Sequence, residues 1–550
     1  MSSVGESSVP RGAPQQKPAG GTYARKATGL VREVSPFSTL VFNMAGQPTA
    51  VFLAISIFFT LGLYPGASIW LGFAMALVLA IVICVCYGLF TSAIPRSGGD
   101  YVLVGRVTHP VIGLVSSFFW TSGVILSIAF IALAFVTVAL GPSLTAVGLV
   151  SGHGSLVSAG EDILNSKGWQ FGIGTALILI SAVLLGGGWR WTTRIMNGLW
   201  AITMLGLATV FLVLLFKSQD GFVNSFNQFA SPVTGEPDTY RSVIESAHEE
   251  GIDTSPAFSM DNTWPVWASI CSLSLFGWLS IYISGEVRRA RDTTQMKVMS
   301  LGAILHIGIA AILAALFFSR FGHDFFVAIN SLGESYPFAA PPYYTFLASI
   351  AGGSTILAWW LSIAFAAAFP LLMIPNLTIA VRTFFAWALD GLLPTRFAQV
   401  NPRTHAPHYA IGFTVVLSIL VLAWAVFNNE GFQSVLIEAV LLQLVTMILI
   451  GVAAVLLPYR RPDAWRASAT TRRIFGLPVV AVAGALVAIL LTGLFYVFLR
   501  YPDLGIDKGH LVRDCAIVIG AALVTFFLAR TARLRQGVDV DKLASEIPPE

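Results

Sequence analysis

The chain has 550 residues, of which 56% are hydrophobic and only 11% charged, and its formal net charge is +4. Its mean hydropathy is +0.77. Length alone would suggest several soluble domains, but so apolar a composition excludes an ordinary soluble surface and predicts a polytopic membrane protein.

The N-terminal segment, residues 1–34, precedes the first apolar run and is rich in Ser, Gly, Pro and Gln. It lacks the apolar core and the cleavage site of a signal peptide. Segments of this composition do not bury enough apolar surface to fold. We therefore expect a disordered cytoplasmic tail.

Twelve apolar stretches follow, each long enough to cross about 30 Å of hydrocarbon as a helix. They comprise residues 38–62, 68–93, 111–141, 169–187, 194–216, 265–285, 298–319, 353–388, 408–427, 432–457, 476–499 and 511–529. The short alternating strands of an outer-membrane barrel are absent. The sequence thus predicts an all-α protein with 12 transmembrane helices, called spans 1 to 12 below.

Basic residues predict how the bundle is oriented. With the N-terminus inside, most of the 32 Lys and Arg residues fall in the inner segments, and many acidic residues fall in the outer segment 218–264. Lys and Arg favour the cytoplasmic side of a membrane. We therefore expect a multi-pass protein of the cell membrane with both termini in the cytoplasm, whose basic side faces anionic lipid and not nucleic acid.

Spans 1 to 5 and spans 6 to 10 share the same irregularities. Spans 3 and 8 are both unusually long, and helix-breaking residues interrupt spans 1 and 6. Because five is an odd number, two such sets would be related by inverted topology. The predicted units are a tail at 1–34, a first five-helix repeat at 35–217, an extracellular loop at 218–264, a second, inverted repeat at 265–457, two further helices within 458–529 and a cytoplasmic tail at 530–550.

The breaks in spans 1 and 6 predict a binding site near the middle of the bilayer. Pro48 donates no backbone hydrogen bond and disfavours helix at Gln47, so span 1 should form two half-helices. Freed N–H groups at the second half would suit a carboxylate. The alternatives are a kink in span 1 that serves packing, a close-packing role for Gly277, hydrogen bonds between helices for Asn43 and Gln47, and aromatic side chains that pack or face lipid. The candidate substrate-binding residues are Asn43, Ala45, Gly46, Gln47, Phe276, Gly277 and Trp278.

Glu438 is the one acidic residue well inside a predicted span. A carboxylate there is costly unless it is paired, protonated or hydrated, which favours a functional role such as proton relay or contact with a substrate's amine. The alternatives are a packing hydrogen bond and a hydrated outer vestibule. The four cysteines have no metal-ligand spacing, and the spans contain no paired catalytic groups. We expect no metal site and no enzyme.

The segment PRSGGDYVLVGRVTHP, Pro95–Pro110, lies at the inner side between spans 2 and 3. Gly98 and Gly99 allow a sharp turn that other residues would resist. In the second repeat the outer loop 321–352 occupies the corresponding place. We predict an inner gating segment that pivots on these two glycines, and a gate salt bridge for Glu286 at the inner end of span 6.

Four segments carry a resemblance to a known family. They are AIPRSGGDYV at 93–102, ISGEVRRARDTT at 283–294, RTFFAWALDGLLPTRFAQVNPRTHAPHYA at 382–410 and VLLPYRRPDAW at 455–465. In order and spacing, over about residues 35–480, the chain resembles the amino acid, polyamine and organocation (APC) permeases. The resemblance implies a secondary transporter of amino acids or related organic amines that works by alternating access.

The resemblance also implies coupling to H⁺, Na⁺ or counter-exchange, no other cofactor, and a monomer or homodimer. Thr378 in span 8 is the implied side chain for a sodium site, although a Thr in such a helix often bonds its own backbone. One departure is that Gly46, Gln47 and Pro48 stand where relatives commonly have Gly, then Ser or Ala, then Gly and Ile. A membrane sensor without transport, and a transporter of another small organic solute, are the alternatives.

Overall fold

The structure is a computed structural model that describes residues 32–57, 63–537, 539–540 and 546. It is 79% helical, and sheet in the described part is confined to the hairpin of β1 (Arg473–Ile474) and β2 (Leu477–Pro478). Within these ranges, 12 helices are long and apolar enough to cross a membrane. The predicted all-α fold with 12 spans is confirmed.

The observed spans lie close to the predicted ones. In order they are Pro36–Ser56, Ile69–Ala93, Pro110–Ser151, Lys167–Gly186, Trp189–Phe216, Met260–Ile283, Thr294–Phe321, Thr355–Leu389, His408–Phe427, Asn429–Arg460, Val479–Arg500 and Lys508–Leu534. The predicted end of span 1, residue 62, lies outside the described residues. Span 3 is longer than predicted, because after the π-helical turn Phe135–Leu140 the chain continues as the helix Gly141–Ser151.

Shorter helices connect the spans. They are Gly99–Val107, Gly154–Asn165, Gln219–Thr234, Thr239–Glu249, His323–Ser331, Tyr344–Gly352 and Pro462–Arg466, with 3-10 turns at Gly333–Ser335, Thr395–Ala398 and Pro502–Leu504. Two of these helices form most of the predicted outer loop 218–264. From that pair, Phe226 makes an edge-to-face contact with Phe325, just after span 7, and Tyr240 stacks on the same ring, with ring centroids 4.9 Å and 4.3 Å away. The loop is therefore a folded cap.

Span 1 is broken where the sequence predicts. Its first helix, Pro36–Ala45, ends before Gly46, and the second begins at Thr49 after an extended Pro48. A π-helical turn at Leu53–Ile57 follows. Proline explains the interruption, since its ring locks φ and it lacks the N–H that would continue the helix.

Span 6 is broken at the matching place. The helix Met260–Ser274 ends, residues 275–278 are not helical, and the chain resumes as the 3-10 helix Leu279–Ile283. Span 8 is long like span 3, with two helical parts, Thr355–Ala366 and Ala368–Leu389. The irregularities thus recur in both sets of five spans, as two inverted five-helix repeats require.

Both predicted tails differ from the structure at their inner edges. Val34 is buried and pairs with Val287 just beyond span 6. Its N–H donates to the Glu286 carbonyl at 3.0 Å. The end of the predicted 1–34 tail is therefore ordered, and its residues 1–31 lie outside the described residues. At the other terminus, span 12 remains helical through residue 530 to Leu534.

Candidate functional site

A cavity lies where the breaks of spans 1 and 6 meet. Its empty volume is about 680 Å³, part of it open to solvent. Spans 1, 3, 6, 8 and 10 all contribute side chains to its wall. The lining includes Gly46, Pro48, Phe52, Ile55, Trp120, Val124, Ser127, Phe130, Leu273, Phe276, Leu279, Leu372, Asn376 and Gln443.

Of the seven predicted substrate-binding residues, the structure places Gly46 and Phe276 in this lining. Asn43 lies deeper, and its side-chain oxygen accepts a hydrogen bond of 2.8 Å from the Ser280 backbone N–H. That bond ties the inner half of span 1 to the segment after the break in span 6. Ala45 is buried as the last residue of the first helix.

Two further members of the predicted set, Gln47 and Gly277, lie at the breaks. Gln47 is 1% exposed, and neither amide atom of its side chain has a hydrogen-bond partner among the described residues. Its Nε2 lies beside Gly277, where an added Cβ would approach it to 3.0 Å. The absence of a side chain at Gly277 thus makes room for Gln47.

An aromatic layer forms the floor of the cavity. Trp278 is fully buried, and its ring centroid lies 4.8 Å from those of both Tyr87 and Trp120. Tyr282 stacks beneath, 6.0 Å from Trp120. Trp278, predicted as a substrate residue, is thus part of the floor, and Phe276 is the aromatic residue of span 6 that reaches the lining.

His306 of span 7 forms hydrogen bonds with the two broken spans, 1 and 6. Its Nδ1 lies 2.9 Å from the hydroxyl of Thr49, and its Nε2 lies 3.1 Å from the hydroxyl of Ser274. These hydroxyls belong to the outer half of span 1 and the outer half of span 6. One buried imidazole therefore joins both outer half-helices.

Three buried polar clusters lie on the far side of the aromatic floor, at the end that the basic residues assign to the cytoplasm. The first surrounds Glu286, which accepts two hydrogen bonds of 2.7 Å from Arg382 of span 8. The indole N–H of Trp189, at the start of span 5, donates to the same carboxylate. The ion-pair partner of Glu286 is thus Arg382, and not Arg288 or Arg289, which are nearer in sequence. The cluster joins spans 5, 6 and 8.

The second cluster joins the segment between spans 2 and 3 to the end of span 8. Arg106 forms an ion pair with Asp390, and both side chains are 1% exposed. The Tyr101 hydroxyl donates to the same carboxylate at 2.7 Å. Arg461, after span 10, donates to the Arg106 carbonyl at 2.7 Å.

The third cluster surrounds Asp100, which is fully buried. Its carboxylate accepts hydrogen bonds from the Tyr282 hydroxyl at 2.6 Å and from the Ser116 hydroxyl at 3.2 Å. Gly98 and Gly99, with φ angles of +117° and +53°, turn the chain so that the short helix Gly99–Val107 packs against Tyr282. Because the sequence predicts a gate at this end of the bundle, we call these three clusters together the inner gate; their gating role stays a prediction.

Burial raises the pKa of Asp100 to about 7, against the opposite effect of the hydrogen bonds from Tyr282 and Ser116. Opening of the inner gate would hydrate this carboxyl group and return its pKa toward the ordinary value of 3.8. The closed gate therefore binds the proton more tightly than the open gate does. By linkage, acid favours closure, and this advantage is lost as the pH rises through about 7.

For the transport that the resemblance implies, with opening of the inner gate as the slow step, we expect turnover to rise between pH 5 and pH 7 and then to level off. The variant Asp100→Asn cannot ionise, so its turnover should not vary with pH in this range and should stay no faster than that of the wild type at pH 5. Exchange of labelled substrate in proteoliposomes with equal pH on both sides measures this. A variant that keeps the wild-type pH profile would contradict the assignment to Asp100.

The structure places the two predicted coupling residues apart from the cavity lining. Glu438 of span 10 is fully buried and faces span 12, where His510 Nδ1 lies 3.7 Å from its carboxylate. The carboxylate of Glu438 also lies beside that of Asp514 in span 12. Thr378 is buried, and its hydroxyl donates to the Ile374 carbonyl at 2.7 Å.

Sequence reasoning missed several residues of the site. Arg382 could have been found, because an arginine inside a span needs a partner. Asp100 directly follows Gly98 and Gly99 in the predicted gating segment, but nothing in the sequence indicates that its side chain is buried. Trp120, Asn376 and Gln443 carry no local signal, since they reach the cavity only through the packing of spans 3, 8 and 10.

A family model described as amino acid permease matches residues 36–522, which covers all 12 observed spans but the last turns of span 12. No curated protein matches the chain significantly.

Proposed function

This chain belongs to the amino acid permease family of the APC superfamily, and on that premise we propose that it is a secondary active transporter working by alternating access. The predicted resemblance is confirmed. As a member, the chain is a multi-pass membrane transporter of amino acids, and its family is not one of enzymes. We further propose that it resides in the cell membrane with both termini in the cytoplasm, as its Lys and Arg distribution indicates.

The observation that carries the proposal is the difference between the two sides of the cavity. On one side lie the aromatic floor and the three buried clusters of the inner gate, held by Glu286 with Arg382, Arg106 with Asp390, and Asp100. On the other side the outer half-helices of spans 1 and 6 line the cavity through Phe52, Ile55 and Leu273, and part of the cavity volume is open to solvent. Alternating access requires a state in which one side of a central site is sealed. The geometry suits an outward-facing state.

Counterflow in proteoliposomes tests the proposal. Vesicles loaded with an unlabelled amino acid mixture should accumulate labelled amino acid from outside without any added energy source. Binding without counterflow would favour the sensor. Absence of both binding and counterflow for every amino acid would favour another small organic solute.

We propose Glu438 as the coupling proton site, because its side chain is fully buried and its carboxylate lies beside that of Asp514 in span 12, so that a proton shared by the two would relieve their repulsion. Glu438→Gln should reduce uptake driven by a pH gradient at least tenfold but leave counterflow unchanged, since only proton binding is lost. The matched control is Glu430→Gln, an exposed position in the first turn of the same span. Uptake and pH dependence equal to the wild type would refute the role.

The alternative to proton coupling at Glu438 is sodium coupling at Thr378. Its hydroxyl donates to Ile374 but keeps its lone pairs, and cation sites are built from such oxygens. Replacing Na⁺ by K⁺ in the uptake assay distinguishes the two ions.

A further inference from the structure

We infer that the transported amino acid has an uncharged, apolar side chain of at least the size of leucine. The inference rests on the proposed function and narrows it to a substrate class. It is argued from the chemistry of the cavity wall, from the partners of the nearby charges and from the shape of the lining.

The wall of the cavity carries no formal charge. Within the described residues, its lining has no Asp, Glu, Lys, Arg or His. The polar side chains there are Ser127, Asn376 and Gln443, and the remaining members are apolar or glycine. An ionised side chain of a substrate would therefore lose its hydration without gaining a counter-ion, which is strongly unfavourable.

The charged groups nearest to the cavity are already engaged elsewhere. Glu286 and Asp390 lie beyond the aromatic floor and are bonded to arginines. Glu438 shares span 10 with the lining residue Gln443, but five residues place the two about 140° apart around the helix. Glu438 accordingly faces His510 of span 12. None of these three carboxylates lies in the cavity wall, so the wall offers no counter-ion to a cationic side chain or a polyamine.

The shape of the lining favours a large apolar group. Phe52, Trp120, Phe130 and Phe276 supply aromatic surface from three different spans. Burial of a leucine or phenylalanine side chain against such surface should favour binding over glycine by about tenfold or more.

The cavity also retains groups for the two charged ends that every amino acid shares. Trp120 lines the cavity, and its buried indole N–H has no acceptor among the described residues. The non-helical residues 275–278 leave backbone groups beside Phe276 outside any helix. An unused donor and free backbone polar groups suit a carboxylate and an ammonium group, which leaves the apolar wall to select the side chain.

A binding and counterflow panel with the purified full-length protein tests the inference. Leucine, phenylalanine and methionine should raise the melting temperature and compete for counterflow at least tenfold better than glycine. Lysine, arginine, glutamate and putrescine should do neither. Charged solutes that bind as well as leucine would overturn the inference and leave the proposed function standing. If no amino acid binds or exchanges, both fail.

The variant Asn376→Asp sharpens the test by placing a carboxylate in the wall. It should weaken leucine binding at least tenfold and improve the ratio of lysine to leucine binding. The matched control is Asn330→Asp, since both asparagine side chains donate to the carbonyl four residues earlier, at 3.0 Å and 2.6 Å, and Asn330 lies outside the cavity. Equal effects of both variants would contradict a cavity role for Asn376. The wild-type panel decides the inference even if a variant does not fold.

Discussion

Replacing Arg382 with Ala should weaken closure of the inner gate by about 3–5 kcal/mol, because it leaves Glu286 buried without its bidentate partner. Glu286 is fully buried in this closed state. Since opening would hydrate the carboxylate, the cost falls on the closed form and shifts the protein toward the open inner gate. Net transport should fall at least tenfold, and substrate should bind less tightly from the outside.

Uptake and outside binding in oriented proteoliposomes measure the effect of Arg382→Ala. The double variant with Glu286→Ala should recover part of the loss, because no unpaired charge then remains buried, and the cycle gives the coupling energy. Arg241→Ala is the control, since Arg241 pairs with Glu245 at the surface and is 75% exposed. Exposed pairs contribute little. Wild-type transport by Arg382→Ala would show that this ion pair is not part of the gate.

Replacing Gly99 with Ala should reduce transport at least tenfold. An added Cβ would overlap the ring of Tyr282, and the residue has a φ of +53° that side chains resist. Displacement of Tyr282 would break its 2.6 Å hydrogen bond to Asp100. Transport should fall more than substrate binding, because the short helix that begins at Gly99 does not line the cavity.

Gly152→Ala is the matched control for Gly99→Ala. Gly152 also has a positive φ, +72°, but an added Cβ would meet nothing within 4 Å. Both variants carry the backbone strain, of about 1–3 kcal/mol, and only Gly99→Ala carries the clash with Tyr282. Parallel transport and melting assays should therefore separate the two contributions. Equal loss of transport and binding in Gly99→Ala would reduce this segment to a passive connector.

The features that the sequence predicted well are those with local causes. Pro48 interrupts span 1 wherever the rest of the chain lies, because its ring and missing N–H act on adjacent residues. Hydrophobic length likewise defines a span without knowledge of its neighbours. The break and the 12 spans could therefore be read from the chain.

The gate and the cavity wall depend on packing between distant segments. Glu286 and Arg382 are 96 residues apart, whereas the sequence offers Arg288 and Arg289 as nearer candidates. Phe276 and Trp278 both lie in or beside the break in span 6, where no helical period tells which one faces the cavity. Only the three-dimensional arrangement assigns one to the wall and the other to the floor.

The hydrogen bonds of His306 have a consequence for how the protein can move. Because one imidazole holds both Thr49 and Ser274, a tilt of either outer half-helix must carry the other with it or break one of these bonds. The outer half-helices of spans 1 and 6 should therefore move as one rigid unit. A pair of spin labels placed on them should keep a constant separation during transport, while their distances to spans 3 and 8 change.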